Sequence, residues 1–185
     1  MITDRKSYRD YVAADLKEAY VPKTALKRWL NTIAGNEQCA AYNYVSRLRK
    51  TEYYLNTGHK ILYQYSHFLQ NRLGLKLGIR IPPNRVGKGL NIIHMAGGGG
   101  CILNCLSIGE YCRVQSGVVV GNKGSEDNRP IIGNHVRLGL GCKVYGKITI
   151  GDNVTILPNA VVTHDVPSNA IVGGIPARII KYKEY

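Results

Sequence analysis

What this sequence lacks narrows it before any motif is read. It has no run of about eighteen apolar residues, so no membrane-spanning helix is expected. Its first residues, Met1 to Arg9, are polar and of mixed charge, unlike the start of a secretory signal. The five cysteines, Cys39, Cys101, Cys105, Cys112 and Cys142, are odd in number and form no C-x-x-C pair. That spacing argues against a disulfide framework or a zinc cluster and for reduced thiols in a cytoplasmic protein. Acids are scarce, with 12 Asp and Glu against 25 Lys and Arg and a net charge of +13. Such an excess attracts any polyanion and does not by itself choose between RNA, an anionic membrane face and a phosphorylated substrate. Residues 1–85 hold fifteen of the cations and six of the acids, so most of the surplus lies outside the region that carries the candidate chemistry. No nucleic-acid partner is expected, while peripheral association of the basic part with an anionic membrane stays open.

The chain changes period near Pro82-Pro83. Before it, Tyr8, Tyr11, Val12, Leu16 and Tyr20 recur at three- and four-residue steps, which predicts a helix capped around Ser7 and ended by Pro22. Further helices are expected over 26–33, 40–55 and 60–73, the last stopping before Gly74. Nine of the thirteen tyrosines fall in this leader, where helix packing is their plainest role.

After Pro83 the period is six. Aliphatic residues stand at Ile102, Ile108, Val114, Val120, Ile132, Leu138, Val144, Ile150, Ile156 and Val162. The one gap falls in the polar stretch 124–128. Four residues after these come smaller apolar side chains, among them Cys112, Val118, Val136, Cys142, Val154 and Ala160. A six-residue unit is one short strand and a turn, and three of them close a triangular coil of about eighteen residues. The first aliphatic points inward, the fifth position fills the corner, and stacked coils bury one another's apolar faces. The expected fold is therefore mainly β, a left-handed parallel β-helix over 82–185 preceded by a short α-helical region over 1–81. An earlier hexad pair, beginning at Val86 and Ile92, is out of phase, and the slip falls in Gly97-Gly98-Gly99-Gly100. A glycine run tolerates a register change and also allows close backbone approach to a ligand.

Three stretches resemble the hexapeptide-repeat acyltransferases: Ile92-Ile93-His94 with its glycine run, Gln115-Ser116-Gly117-Val118-Val119-Val120-Gly121-Asn122, and the ending Asp165-Val166-Pro167 through Gly173-Gly174-Ile175-Pro176-Ala177-Arg178. More narrowly, they are similar to serine acetyltransferases and to O-acetyltransferases of capsule and colanic-acid pathways. The resemblance implies homotrimers, acetyl-CoA in the groove between adjacent β-helices, and direct transfer without an acyl-enzyme or a metal. It implies His94 as the general base. A hydroxyl is a poor nucleophile near neutral pH, and neutral imidazole can take its proton and return it to the departing thiolate. Backbone N–H groups of 97–100 are candidates for the oxyanion. By resemblance, Gly139, Leu140, Gly141 and Pro158 line the pantetheine arm. Thr163, Arg178 and Lys181 meet the adenosine end, where a cation can pair a phosphate, and His164 occupies a spot that touches the cofactor in sugar acetyltransferases.

The acceptor is read from departures. Serine acetyltransferases carry an aspartate fifteen residues before the catalytic histidine and a second histidine in the extended loop. Here those places hold Ile79 and Arg129. A free amino acid needs charged partners, so the sequence points instead to a sugar hydroxyl of a surface-polysaccharide precursor. Asn122, Glu126, Asp127, Asn128 and Arg129 then border the acceptor. The alternatives are a serine O-acetyltransferase, a γ-type carbonic anhydrase, disfavoured because no H-x4-H pair occurs in the coils, and a trimeric scaffold without activity.

Overall fold

The computed structural model describes every residue except Gly97, Gly98, Lys123, Glu126 and Tyr185. Four helices, α1 (Arg5–Glu18), α2 (Ala25–Ile33), α3 (Glu37–Asn56) and α4 (Lys60–Leu77), precede a β-solenoid of short parallel strands. The solenoid has three faces. The first stacks Ile79–Arg80, Cys101–Leu103, Val118–Gly121, Lys143–Tyr145 and Val161–Val162; the second stacks Ser107–Ile108, Ile131–Ile132 and Thr149–Ile150. The third stacks Asn91–Ile93, Arg113–Gln115, Arg137–Leu138, Thr155–Ile156 and Ala170–Gly174, and ends with Ala177–Tyr182 running antiparallel.

The hexad explains this geometry. Val114, Val120, Ile132, Leu138, Val144, Ile150, Ile156 and Val162 are all at most 2% exposed, and each such side chain contributes about 1.5–3 kcal/mol by leaving water. Register partners one coil apart are separated by eighteen positions, as in Leu138 with Ile156 and Val144 with Val162. The buried cysteines belong to this core: burial pushes the thiols of Cys101, Cys105 and Cys142 up to about 12 and that of Cys112 up to about 11. All five are free.

Ile102 departs from the expected phase. It is 42% exposed, and Cys101, Leu103 and Cys105 are buried instead. The cause is a shortened side: Leu103 pairs with Val120 while Ile108 pairs with Ile132, so the step from one inward position to the next is five residues rather than six.

The helices also differ in detail from the sequence expectation. Asp4, not Ser7, is the N-cap of α1, and the Ser7 side chain completes the capping box. The last helix runs through Gly74 to Leu77, and Gly78 ends it in the left-handed region with φ 69°. Gly74 is tolerated there because a Cβ would stand 2.5 Å from the Ile79 carbonyl oxygen and 3.1 Å from the Tyr44 ring; the missing side chain lets α4 lie against the first coil.

That contact shows what the leader does for the fold. The first coil has no coil beneath it, so its outer backbone groups would be left unpaired. Leader side chains take them. The Tyr44 hydroxyl accepts from Ile81 N–H at 3.0 Å, and Gln70 donates to the Ile81 carbonyl at 3.1 Å. Glu52 accepts from Asn84 N–H at 2.9 Å, and Asp15 accepts from Leu90 N–H at 3.0 Å. Arg49, fully buried, donates to the carbonyls of Val86 and Gly87 and is held by Asp15 at 2.8 Å and Glu52 at 3.0 Å. Burial works against its charge, and the two carboxylates more than offset this, so the guanidinium stays ionised.

Candidate active site

Each coil turns three corners, and the corner between the third and first faces carries His94. It follows the strand Asn91–Ile93 directly, is exposed, and has φ 60°. The turn position of this corner is held by Gly78, Gly100, Gly117, Gly141 and Asn159, which follow one another in register and all have positive φ. His94 stands beside that column, level with Ser116, directly after Ile93. A histidine with positive φ is uncommon. Its imidazole makes no hydrogen bond among the described residues and is open to solvent. The corner below it is a narrow edge with little side-chain bulk, where consecutive coils lie about 4.8 Å apart.

Two polar side chains fix that edge. Gln115 accepts from Leu140 N–H at 2.8 Å, and Lys143 donates to the Gly117 carbonyl at 2.6 Å. The turn after His94 is tied from outside the solenoid, because Ala96 N–H donates to the Glu37 carboxylate in the first turn of α3. None of these three was singled out from the sequence. Gln115 and Lys143 stand one place from an inward aliphatic, so the hexad could have marked them as outward. Nothing in the sequence connects Glu37 to a turn 59 residues away.

The residues expected to hold the cofactor divide between two corners. Gly139, Leu140, Gly141 and Pro158 lie on the His94 corner, with Leu140 45% exposed. Arg178 is register partner of Gly173 and so stands at the end of the same column, while Lys181 pairs with Ile171 at the far end of that strand. Thr163 and His164, joined at 3.0 Å through Oγ1 and Nδ1, belong to the corner between the first and second faces. The 122–130 loop leaves that corner too. Within it, Asn122 donates to the Ser125 carbonyl at 2.9 Å. Asp127 is exposed, Asn128 half-buried and Arg129 buried. Glu126 lies outside the described residues. So do Gly97 and Gly98 of the expected oxyanion run; the Gly100 carbonyl is engaged by Gly117 N–H at 2.7 Å.

Comparison with known proteins bears on this geometry. The family described as bacterial transferase hexapeptide (six repeats) matches residues 129–164. Serine acetyltransferase from Synechococcus elongatus is 41% identical over 109 residues, which is 57% of this chain and 44% of that protein. Residues 129–164 thus carry the hexapeptide repeat of bacterial transferases, and the chain has serine acetyltransferase homologues. Among solved structures, serine acetyltransferase from Neisseria gonorrhoeae matches with a TM-score of 0.75 and 28% identity, over 98% of this chain and 69% of that one. The Brucella abortus enzyme in complex with coenzyme A matches with a TM-score of 0.73 and 25% identity, over 97% and 70%. The chain spans less than half the length of the curated relatives it matches.

These relatives overturn the glycan acceptor and the capsule or colanic-acid subtype expected from the sequence, since they are serine acetyltransferases by name. The structure explains why the counting argument misled. Ile79 is 4% exposed and faces the core, with Arg80 the outward residue of that strand. A missing aspartate at an inward position says nothing about what an acceptor meets.

Proposed function

We propose that this chain is an acetyl-CoA-dependent serine O-acetyltransferase that works as a homotrimer with His94 as general base. The observation that carries the reading is the corner column. An imidazole with no hydrogen bond among the described residues stands beside a glycine-rich edge along which an extended thioester arm can lie. The serine hydroxyl attacks the thioester carbonyl while His94 takes its proton. The C–S bond then breaks, and the thiolate leaves with the proton that His94 returns, giving O-acetylserine and coenzyme A. Asp127 and Arg129 supply the two charges that a free amino acid requires.

The separation of the two corners supports the trimer. His94 and the 122–130 loop stand at opposite edges of the first face, and a six-residue side spans up to about 20 Å of extended chain. A neighbouring copy packed on that face would bring its own loop to this histidine. The outer side of the first face suits such packing: Ile102 and Val119 are register partners there, Tyr145 is 41% exposed and Val161 is half-buried.

The test is coenzyme A release from acetyl-CoA with L-serine. His94→Ala is expected to lower kcat by on the order of a hundred- to ten-thousand-fold with unchanged far-UV circular dichroism. No release with L-serine from the wild-type chain overturns the acceptor, and an undiminished rate in His94→Ala overturns the base. Light scattering reads the assembly, for which the expected mass is three chains.

A further inference from the structure

The remaining corner, between the second and third faces, takes no part in that chemistry. It carries a groove of about 450 Å³ between the end of α1 and the outer side of the third face. On its floor is Asn91, 3% exposed, and among the described residues neither its amide nitrogen nor its amide oxygen has a hydrogen-bond partner. Buried polar groups in folded proteins are satisfied almost without exception, so an orphaned amide in a groove points to a ligand.

The walls are cationic. Arg113 and Arg137 also line the groove and are register partners on adjacent strands, as Asn91 is to Arg113. Like charges directly opposite one another in a sheet repel. Among the described residues, neither arginine has an ion pair, and Arg113 meets only the Tyr20 ring, at 5.9 Å. A third cation stands close: Lys183 donates to Asn153 Oδ1 at 2.9 Å, and Asn153 lines the groove. Its ammonium is held below the ordinary lysine range, by burial first and then by the charge of Arg137. Among the described residues that line the groove, two arginines stand against the one carboxylate of Glu18. The lining is therefore net positive, with Lys183 beside it.

The geometry points to a binding site for hydrogen phosphate in this groove. Guanidinium groups suit phosphate oxygens. Asn91 adds a selective element, because it offers both a donor and an acceptor without partners. Hydrogen phosphate answers both: its P–O⁻ oxygens accept from Asn91 Nδ2 and the arginines, and its P–OH donates to Asn91 Oδ1. Sulfate carries the same charge and shape near neutral pH but has no hydroxyl to donate. At the lip, the Tyr111 and His135 rings stack at 5.4 Å, both from positive-φ turns, and His135 reports on occupancy.

The experiment is isothermal titration calorimetry of the full chain at low ionic strength with inorganic phosphate and, separately, with sulfate. The expected result is saturable phosphate binding, at least tenfold weaker binding of sulfate, and at least a tenfold loss of phosphate affinity in R113Q/R137Q. Phosphate should also shift the His135 ring resonances of the wild-type chain, a readout that needs no variant. Absence of saturable phosphate binding, equal binding of sulfate, or wild-type affinity in a folded R113Q/R137Q overturns the proposal.

Discussion

The leader and the solenoid bury their interiors by opposite means. Inside the solenoid the core positions are filled by aliphatics, alanine and cysteine, and its buried polar groups, Asn91, Ser116 and Arg129, stand off the inward positions of the hexad. Under the leader the buried set includes Arg49, Asp15, Glu52, Gln70, Thr51 and Ser66. The difference follows from position. Each inner coil finds its hydrogen-bond partners in the coils above and below, so its side chains need only fill space. The first coil has a neighbour on one side, and the leader must supply polar partners for the other. A repeat buries apolar groups cheaply, while its end requires polar ones.

The largest expected effect that sharpens this comparison is alkaline. The four solenoid thiols, Cys101, Cys105, Cys112 and Cys142, are pushed up to about 11 to 12 by burial, so the folded state keeps protons that the unfolded chain releases above about pH 9. Their stabilising contribution is intact below pH 9 and is lost as pH rises toward 12, on the order of 1 kcal/mol per thiol per pH unit in that window. Urea midpoints against pH check this, and alanine at the four positions should flatten the alkaline fall. In the leader, Arg49→Ala leaves two buried carboxylates uncompensated and is expected to cost about 3–5 kcal/mol in urea unfolding at pH 7. In the solenoid, Leu103→Ala should cost about 2–4 kcal/mol in urea unfolding as a core truncation. A cost within about 0.5 kcal/mol, the value for a surface side chain, would refute the shortened side that turns Leu103 inward. At the seam, Gly74→Ala is expected to lose about 1–3 kcal/mol through overpacking against Ile79 and Tyr44, read as a lowered Tm.

The same contrast explains what could be read from the sequence. Solenoid contacts recur at fixed separations, so the period of six identified the faces, the inward residues and the corners. It failed at Ile102, where one side is a residue short, and the argument from position 79 failed because Ile79 faces the core. The leader's helices were legible from their own periodicity, but its purpose was not. Arg49 reaches the carbonyls of Val86 and Gly87 across nearly forty residues, and Glu37 reaches Ala96 across 59; no local pattern encodes such pairs. His94 stood out through its flanking motif, whereas Gln115 and Lys143, which brace the edge beside it, look in sequence like ordinary outward polar residues.

The last strand, Ala177–Tyr182, turns back on Ala170–Gly174. A stack of parallel rungs is in principle open at both ends, and a bare terminal rung is a template on which another molecule can polymerise. Helices lie over one end of this rod, and on its third face a reversed strand takes the edge that the last parallel rung would otherwise present, so a further parallel rung finds no matching edge on that face.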